Sequence, residues 1–208
     1  MKTVFRDFRR FAILILVCSG SIDDLTAAEI NARMMVSGGG SFLLDKNIAD
    51  LAGASHSAAF NDKLQIGILA AVDLHAHLAL EAGFRGGRSE LRVKDAGLLP
   101  SGNSLDFSIQ QFFCNAVYST PYSGGGLRLF ATGGVGLRRI GPAAGIDPDI
   151  GWSVNYGGGL EARPSRRFSI RVELRDFVGA MPRFAPSQST RGVLHDIQPS
   201  IGLIVHLR

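Results

Sequence analysis

The sequence has 208 residues, with 22 Lys and Arg against 18 Asp and Glu and a formal net charge of +4. With 46% hydrophobic residues, a mean hydropathy of +0.16, 26 Gly and only 8 Pro, it is too apolar for a disordered chain and long enough for one domain with a core. The arginines are spread along the chain rather than clustered with aromatics, which argues against nucleic acid as a partner.

The chain opens like an address. Lys2, Arg6, Arg9 and Arg10 precede an apolar stretch at 11–18, and the small residues Thr26, Ala27 and Ala28 follow. A basic segment, a greasy core too short for a membrane helix and a small-residue site predict a cleavable signal peptide over residues 1–28, cut before Glu29. Cys18 follows Val17, where an acylated cysteine is usually preceded by Gly, Ala or Ser, so it reads as part of the signal core. The mature domain, 29–208, then keeps Cys114 alone and has no internal disulfide.

From there the sequence alternates with a period of two, which is the period of a strand. Met34, Val36 and Phe42 oppose Arg33, Met35 and Ser41 in the first segment; Leu64, Ile66, Ile68, Ala70 and Val72 share a face in the second. In "HLALEAGFR", Leu78, Leu80, Ala82 and Phe84 oppose Ala79, Glu81, Gly83 and Arg85. In the fourth, Leu105, Phe107 and Ile109 are read as the greasy face, against Asp106, Ser108 and Gln110; continued along the chain, this phase puts Cys114 on the polar side. Leu127, Leu129, Ala131, Val135 and Leu137 then oppose Arg128, Phe130, Thr132 and Arg138. Trp152, Val154, Tyr156, Leu160 and Ala162 oppose Ser153, Asn155, Glu161 and Arg163. In "FSIRVELRDF", Phe168, Ile170, Val172 and Leu174 oppose Ser169, Arg171, Glu173 and Arg175. Last, Ile197, Pro199, Ile201, Leu203, Val205 and Leu207 oppose Asp196, Gln198, Ser200 and His206.

Most of these segments approach or exceed the roughly 9–11 residues that a tilted strand needs to cross a bilayer, where strands of soluble proteins average about 5–6. The connections alternate in length: 45–63, 86–103, 140–151 and 178–193 are long and polar, whereas 73–76, 119–126 and 163–167 are short. Backbone polar groups in hydrocarbon need internal partners, so strands facing lipid must close into a barrel. The prediction is an all-β, eight-stranded antiparallel up-and-down transmembrane barrel. Its interior charges are expected to be Arg33, Glu81, Arg85, Asp106, Arg128, Glu161, Arg163, Arg171, Glu173, Arg175 and Asp196, neutralised as a mixed network. Its lipid-facing side chains are expected to include Leu78, Leu80, Phe84, Ile170, Val172, Leu174, Ile201, Leu203 and Val205.

Pro199 lacks a ladder donor, which predicts a bulge or a strand whose paired part starts later. Phe84, Tyr118, Tyr122, Trp152 and Phe168 fall near strand ends and are candidates for interfacial aromatic belts. The glycine runs at 37–40, 124–126 and 157–159 lack the spacing of a phosphate cradle and suit tight coiling or packing under large neighbours. His75 and His77 sit at a tight turn with no third metal ligand in view.

With "HLALEAGFR" as its most characteristic stretch, the chain resembles the small OmpA/OmpX-type outer-membrane β-barrels over residues 30–208. The resemblance implies an outer-membrane location with both termini periplasmic, four long loops outside and a filled lumen that is no general porin. It also implies outer-membrane lipids and the barrel-assembly machinery as partners, with room for an extracellular ligand at the loops. Such barrels usually end in an aromatic residue, whereas this sequence ends "LIVHLR". The reading is a non-enzymatic structural or surface-display protein without cofactor or metal. Two alternatives invert or extend it: a secreted lipocalin-like barrel with its apolar face inward around a ligand, and a lipid A-modifying enzyme using His56, Ser57, His195 and Asp196.

Overall fold

The structure, a computed structural model, describes residues 31–44, 58–61, 63–93, 104–141, 148–180 and 193–207. The signal-peptide boundary, His56 and Ser57 lie outside the described residues. The strands are β1 (Ala32–Leu44), β2 (Ala58–Asn61), β3 (Lys63–His75), β4 (Leu78–Val93), β5 (Ser104–Ser119), β6 (Leu127–Ile140), β7 (Asp149–Ala162), β8 (Phe168–Ala180) and β9 (Val193–Leu207). All pairings are antiparallel, in the order β2-β4-β3-β1-β9-β8-β7-β6-β5, and β4 also pairs with β5. That last pairing closes the sheet, so every strand except the short β2, which pairs with β4 alone, has a paired neighbour on both sides.

β2 and β3 line up against the same strand, β4, and act as one stave of an eight-stave wall. The register slips by one residue between Asn61↔Glu90 and Gln65↔Gly87, which is a bulge separating the two halves. A second slip, between Asp73 and His75, precedes the tight turn into β4.

The staves are longer than their alternation suggested. β4 runs on to Val93 and β2 occupies 58–61, positions read from sequence as parts of long connections. Along the extension of β4 the period of two in fact continues, Arg88, Glu90 and Arg92 alternating with Ser89, Leu91 and Val93.

Pro199 makes no bulge. It keeps register opposite Leu174 of β8. On the β1 side the pairing passes from Gly39↔Ser200 to Phe42↔Ile197 in the same register, with the two intervening pairs absent. The missing N–H is absorbed by an interrupted ladder rather than an extra residue. Gly39 permits it: a Cβ there would sit 2.2 Å from the Pro199 carbonyl oxygen.

The inward face carries two apolar clusters between polar layers. Met35, Leu69, Ala71, Phe113, Phe177 and Ile204 form one, and Ala79, Val117 and Phe130 the other. Gly83 makes space for the first, since its Cβ would come 2.6 Å from the Phe113 ring. β5 corrects one reading: Phe107 and Ile109 point inward and are buried, and Cys114 is on the outward phase with Phe112 and Ala116.

Candidate functional site

The interior of the barrel and its outer wall are the two surfaces that chemistry can act through. The interior is built on β8. Alternation sends Arg171, Glu173 and Arg175 inward, where each is at most 2% exposed. β4, four staves away in either direction, sends Glu81 and Arg85 to meet them. Arg171 pairs with Glu81 through Nη1 and with Glu173 at 2.8 Å through Nη2. Arg85 Nη2 donates to Glu173 Oε1 at 2.6 Å, and Arg175 reaches Glu173 at 2.8 Å and Glu81 at 3.6 Å.

Three guanidinium groups thus share two carboxylates across the full diameter. The additional positive charge is softened by π faces: Arg171 lies 3.7 Å from the Phe130 centroid and Arg175 4.7 Å from that of Phe113. With the Asn115 amide turned so that its oxygen faces Arg175 Nη1, the two are 2.6 Å apart. The result is a crossed plug.

Toward the long connections lies a neutral-rimmed carboxylate. Asp196 accepts from Ser41 at 2.6 Å, Gln111 at 2.9 Å and Gln198 at 2.6 Å, and Gln198 also donates to Gln111 at 2.8 Å. Arg138 joins this end and donates to the Ala180 carbonyl. A cavity of about 10 Å³ bordered by Ser37, Gln65, Arg85, Gln198 and Ser200 has space for a single water, not for a permeating solute.

At the short-turn end a tyrosine closes the mouth. Tyr122, in the β5–β6 turn, donates to Glu161 at 2.5 Å, and Arg128 reaches the other Glu161 oxygen at 2.8 Å. The Tyr122 ring lies between Arg128 and Arg163, whose guanidinium carbons are 4.6 and 5.6 Å from its centroid. Burial, reinforced by the Glu161 carboxylate, raises the Tyr122 phenol above its ordinary pKa. Arg33 binds Asp73 at 2.6 Å and stands 3.6 Å from Glu161, and Ser169 lies 2.8 Å from His206 Nε2. The turn folds this way because Gly126 takes φ 73°, letting its amide return to the Ser123 carbonyl at 2.9 Å.

Of the interior charges expected from sequence, Arg33, Glu81, Arg85, Arg128, Glu161, Arg171, Glu173, Arg175 and Asp196 point into the lumen. Arg163 sits at its rim, half-buried, with Nη2 on the Arg166 carbonyl. The Asp106 side chain lies outside the described residues. Alternation did not bring forward Tyr122, Asp73, Gln111 or Asn115. Gln111 and Asn115 were hidden by the inverted reading of β5, and Tyr122 sits in a turn, where period carries no information.

The wall is the opposite in character. Leu78, Leu80, Ile170, Val172, Leu174, Ile201 and Leu203 are exposed on it, Val172 by 53% against 2% for its neighbour Arg171. Val205 and Phe84 are also on this face and half-buried, Phe84 beside Phe112 at 4.8 Å between centroids. Phe84 therefore lies within the wall rather than at a strand end, and Tyr122 leaves the belt for the lumen mouth. Tyr118, Trp152 and Phe168 are exposed on the outer face. With its ionic residues inside and its larger apolar face outside, the barrel has the phase opposite to the one the lipocalin-like alternative requires. Of the alternative active site, His56 and Ser57 lie outside the described residues, and the consecutive His195 and Asp196 face opposite sides of the wall, with His195 on Asp176 and Asp196 in the lumen.

No family model and no curated protein matches the sequence. Solved structures do. OprG of Pseudomonas aeruginosa aligns with a TM-score of 0.58 at 13% identity, covering 86% of this chain and 97% of its own. Neisserial surface protein A aligns with a TM-score of 0.55 at 11% identity, covering 84% and 96%. Ail of Yersinia pestis, the attachment invasion locus protein, aligns with a TM-score of 0.52 at 12% identity, covering 86% and 100%. The fold is that of the small eight-stranded outer-membrane barrels. In such a barrel the exposed apolar wall and the ionic lumen are parts of one design, since each strand must serve both media at once.

His75 and His77 take no joint role in this geometry. Their ring centroids are 6.2 Å apart, and His77 Nδ1 lies 2.9 Å from the Ser119 carbonyl oxygen, tying the β3–β4 turn to β5.

Proposed function

We propose that the chain is an integral outer-membrane barrel whose function is structural and surface-exposed rather than enzymatic. The observation that carries this reading is the pairing of an apolar wall with a crossed ionic plug. Such a cylinder is soluble in hydrocarbon and blocked along its axis. The plug speaks against a role as a general porin.

The connections at 45–57, 94–103, 142–147 and 181–192 all leave from the end opposite the tight turns. On this reading they face outward, both termini are periplasmic, and the loops supply the contact with any extracellular ligand. Residues 1–28 act as a signal peptide, and the barrel-assembly machinery inserts the product.

Cell fractionation with gel mobility before and after boiling tests the reading. The chain should partition with outer membranes and migrate faster unheated. Recovery as a detergent-free soluble protein would refute it.

A further inference from the structure

The three short turns are not alike. The connections at 76–77 and 120–126 carry no Lys or Arg, whereas the β7–β8 turn reads Arg163-Pro164-Ser165-Arg166-Arg167. Arg163 is committed to the lumen mouth, half-buried with its guanidinium carbon 5.6 Å from the Tyr122 ring centroid. Arg166 and Arg167 are exposed, and neither side chain makes an ion pair among the described residues. The carboxylates nearest this mouth are already taken, Asp73 by Arg33 at 2.6 Å and Glu161 by Arg128 at 2.8 Å. Two cations are left over.

The backbone beneath them is fixed. Arg163 Nη2 donates to the Arg166 carbonyl at 3.1 Å, and the Ser165 hydroxyl accepts from the Phe168 amide at 3.1 Å. The Arg167 carbonyl accepts from the His206 amide at 2.9 Å, and the Arg163 amide donates to the Gly126 carbonyl at 2.8 Å. Pro164 removes a further backbone freedom. The turn is tied to itself, to β9 and to the β5–β6 turn, so little main-chain order remains to be imposed when a ligand binds.

Position selects the ligand. Phe168, the residue after Arg167, is exposed on the outer wall at the first position of β8, and Ile170 follows on the same face. Leu207, at the end of the adjoining β9, is exposed as well. The apolar wall thus runs up to the turn, and the two cations begin where it stops. In a bilayer that is the level of the headgroups, where long arginine side chains hold their charge in water. A guanidinium fork matches the oxygens of a phosphodiester, and a basic pair gains from the potential of an anionic leaflet.

We propose that the β7–β8 turn binds an anionic phospholipid of the leaflet at the short-turn end, through Arg166 and Arg167 on its phosphodiester. The inference rests on the membrane reading above, and adds to it a lipid site confined to one side of the barrel.

The test uses the ¹⁵N-labelled, refolded full barrel in phosphate-free maltoside micelles, titrated with short-chain phosphatidylglycerol. The amide resonances of Ser165 and Phe168 should shift and saturate. Arg166→Gln and Arg167→Gln should each weaken the interaction by about fivefold, and the double variant by about 25-fold, with the unheated gel mobility of a folded barrel kept throughout. Unmoved resonances, or equal affinity in the double variant, overturn the proposal. So does an equal response to short-chain phosphatidylcholine, whose choline offsets the phosphate charge, or to inorganic phosphate, which would make the turn a site for free anion. A barrel that fractionates with membranes and keeps its heat-modifiable mobility in those cases leaves the membrane reading standing.

Discussion

Glu81 and Arg171 stand on staves four steps apart in both directions around the wall, and their side chains meet at its axis. No sheet hydrogen bond links β4 to β8, so this ion pair and its neighbours tie opposite sides of the cylinder directly. Each group is buried, and the desolvation cost of each is offset only while its partners are present.

Arg171→Met should therefore destabilise strongly. Among the described residues Glu81 would keep only Arg175, 3.6 Å away, and the loss should be about 3–5 kcal/mol, the usual cost of orphaning a buried charge. Replacing both Glu81 and Arg171 with Met should cost clearly less than the two single changes summed. Denaturant unfolding in micelles, followed by Trp152 as the sole tryptophan, measures both. Additive losses would show that the two residues do not act as a pair.

The same crossing should keep ions out. In planar bilayers the native barrel should give no sustained open-channel steps. Glu81→Ala with Arg85→Ala removes the whole β4 half of the plug and should open a measurable leak. Equal conductance of the two proteins would move the barrier to another layer, either the Asp196 cluster or the Tyr122 mouth.

The wall and the lumen were legible to different degrees, for a physical reason. On β8, apolar and polar residues alternate without exception from Phe168 to Arg175, so either face identifies the other. On β5, Gln110 and Gln111, then Phe112 and Phe113, put the same residue type on both faces, and the sequence carries no phase there. Only packing decides: Phe113 inserts over Gly83 and meets Phe177 at 5.6 Å between centroids, which fixes Gln111 and Asn115 inward. The closing Tyr122 and the Asp176–His195 pair were also out of reach. Both depend on which staves become neighbours and in what register, and a single strand's pattern does not contain that.

The apolar wall makes a depth-dependent prediction. Val172 lies midway along the exposed part of β8, and Val172→Arg should cost about 2–4 kcal/mol in a bilayer. Ile150, equally outward at the long-connection end of β7, should tolerate Arg at a cost of about 0–1 kcal/mol. Reversible unfolding from phospholipid vesicles gives both values. Equal costs at the two positions would mean that this face does not cross a hydrocarbon layer.

Tyr122 gives the pH prediction. Burial and then the neighbouring Glu161 carboxylate raise its phenol pKa in the folded barrel, while the unfolded chain titrates at about 10. Above that value the unfolded state loses its proton first, so the folded state binds more protons and stability falls with rising pH. The contribution of neutral Tyr122 should be fully present below about pH 10 and be lost as pH climbs through the raised folded value. Ultraviolet absorbance titration of the three tyrosines should show a late step that Tyr122→Phe removes. The same variant should be less stable at neutral pH, for want of the bond to Glu161, yet lose less stability than the native barrel on further alkalinisation. If the step survives the substitution, Tyr122 is not the late-titrating phenol, and the short-turn mouth is not held shut by it.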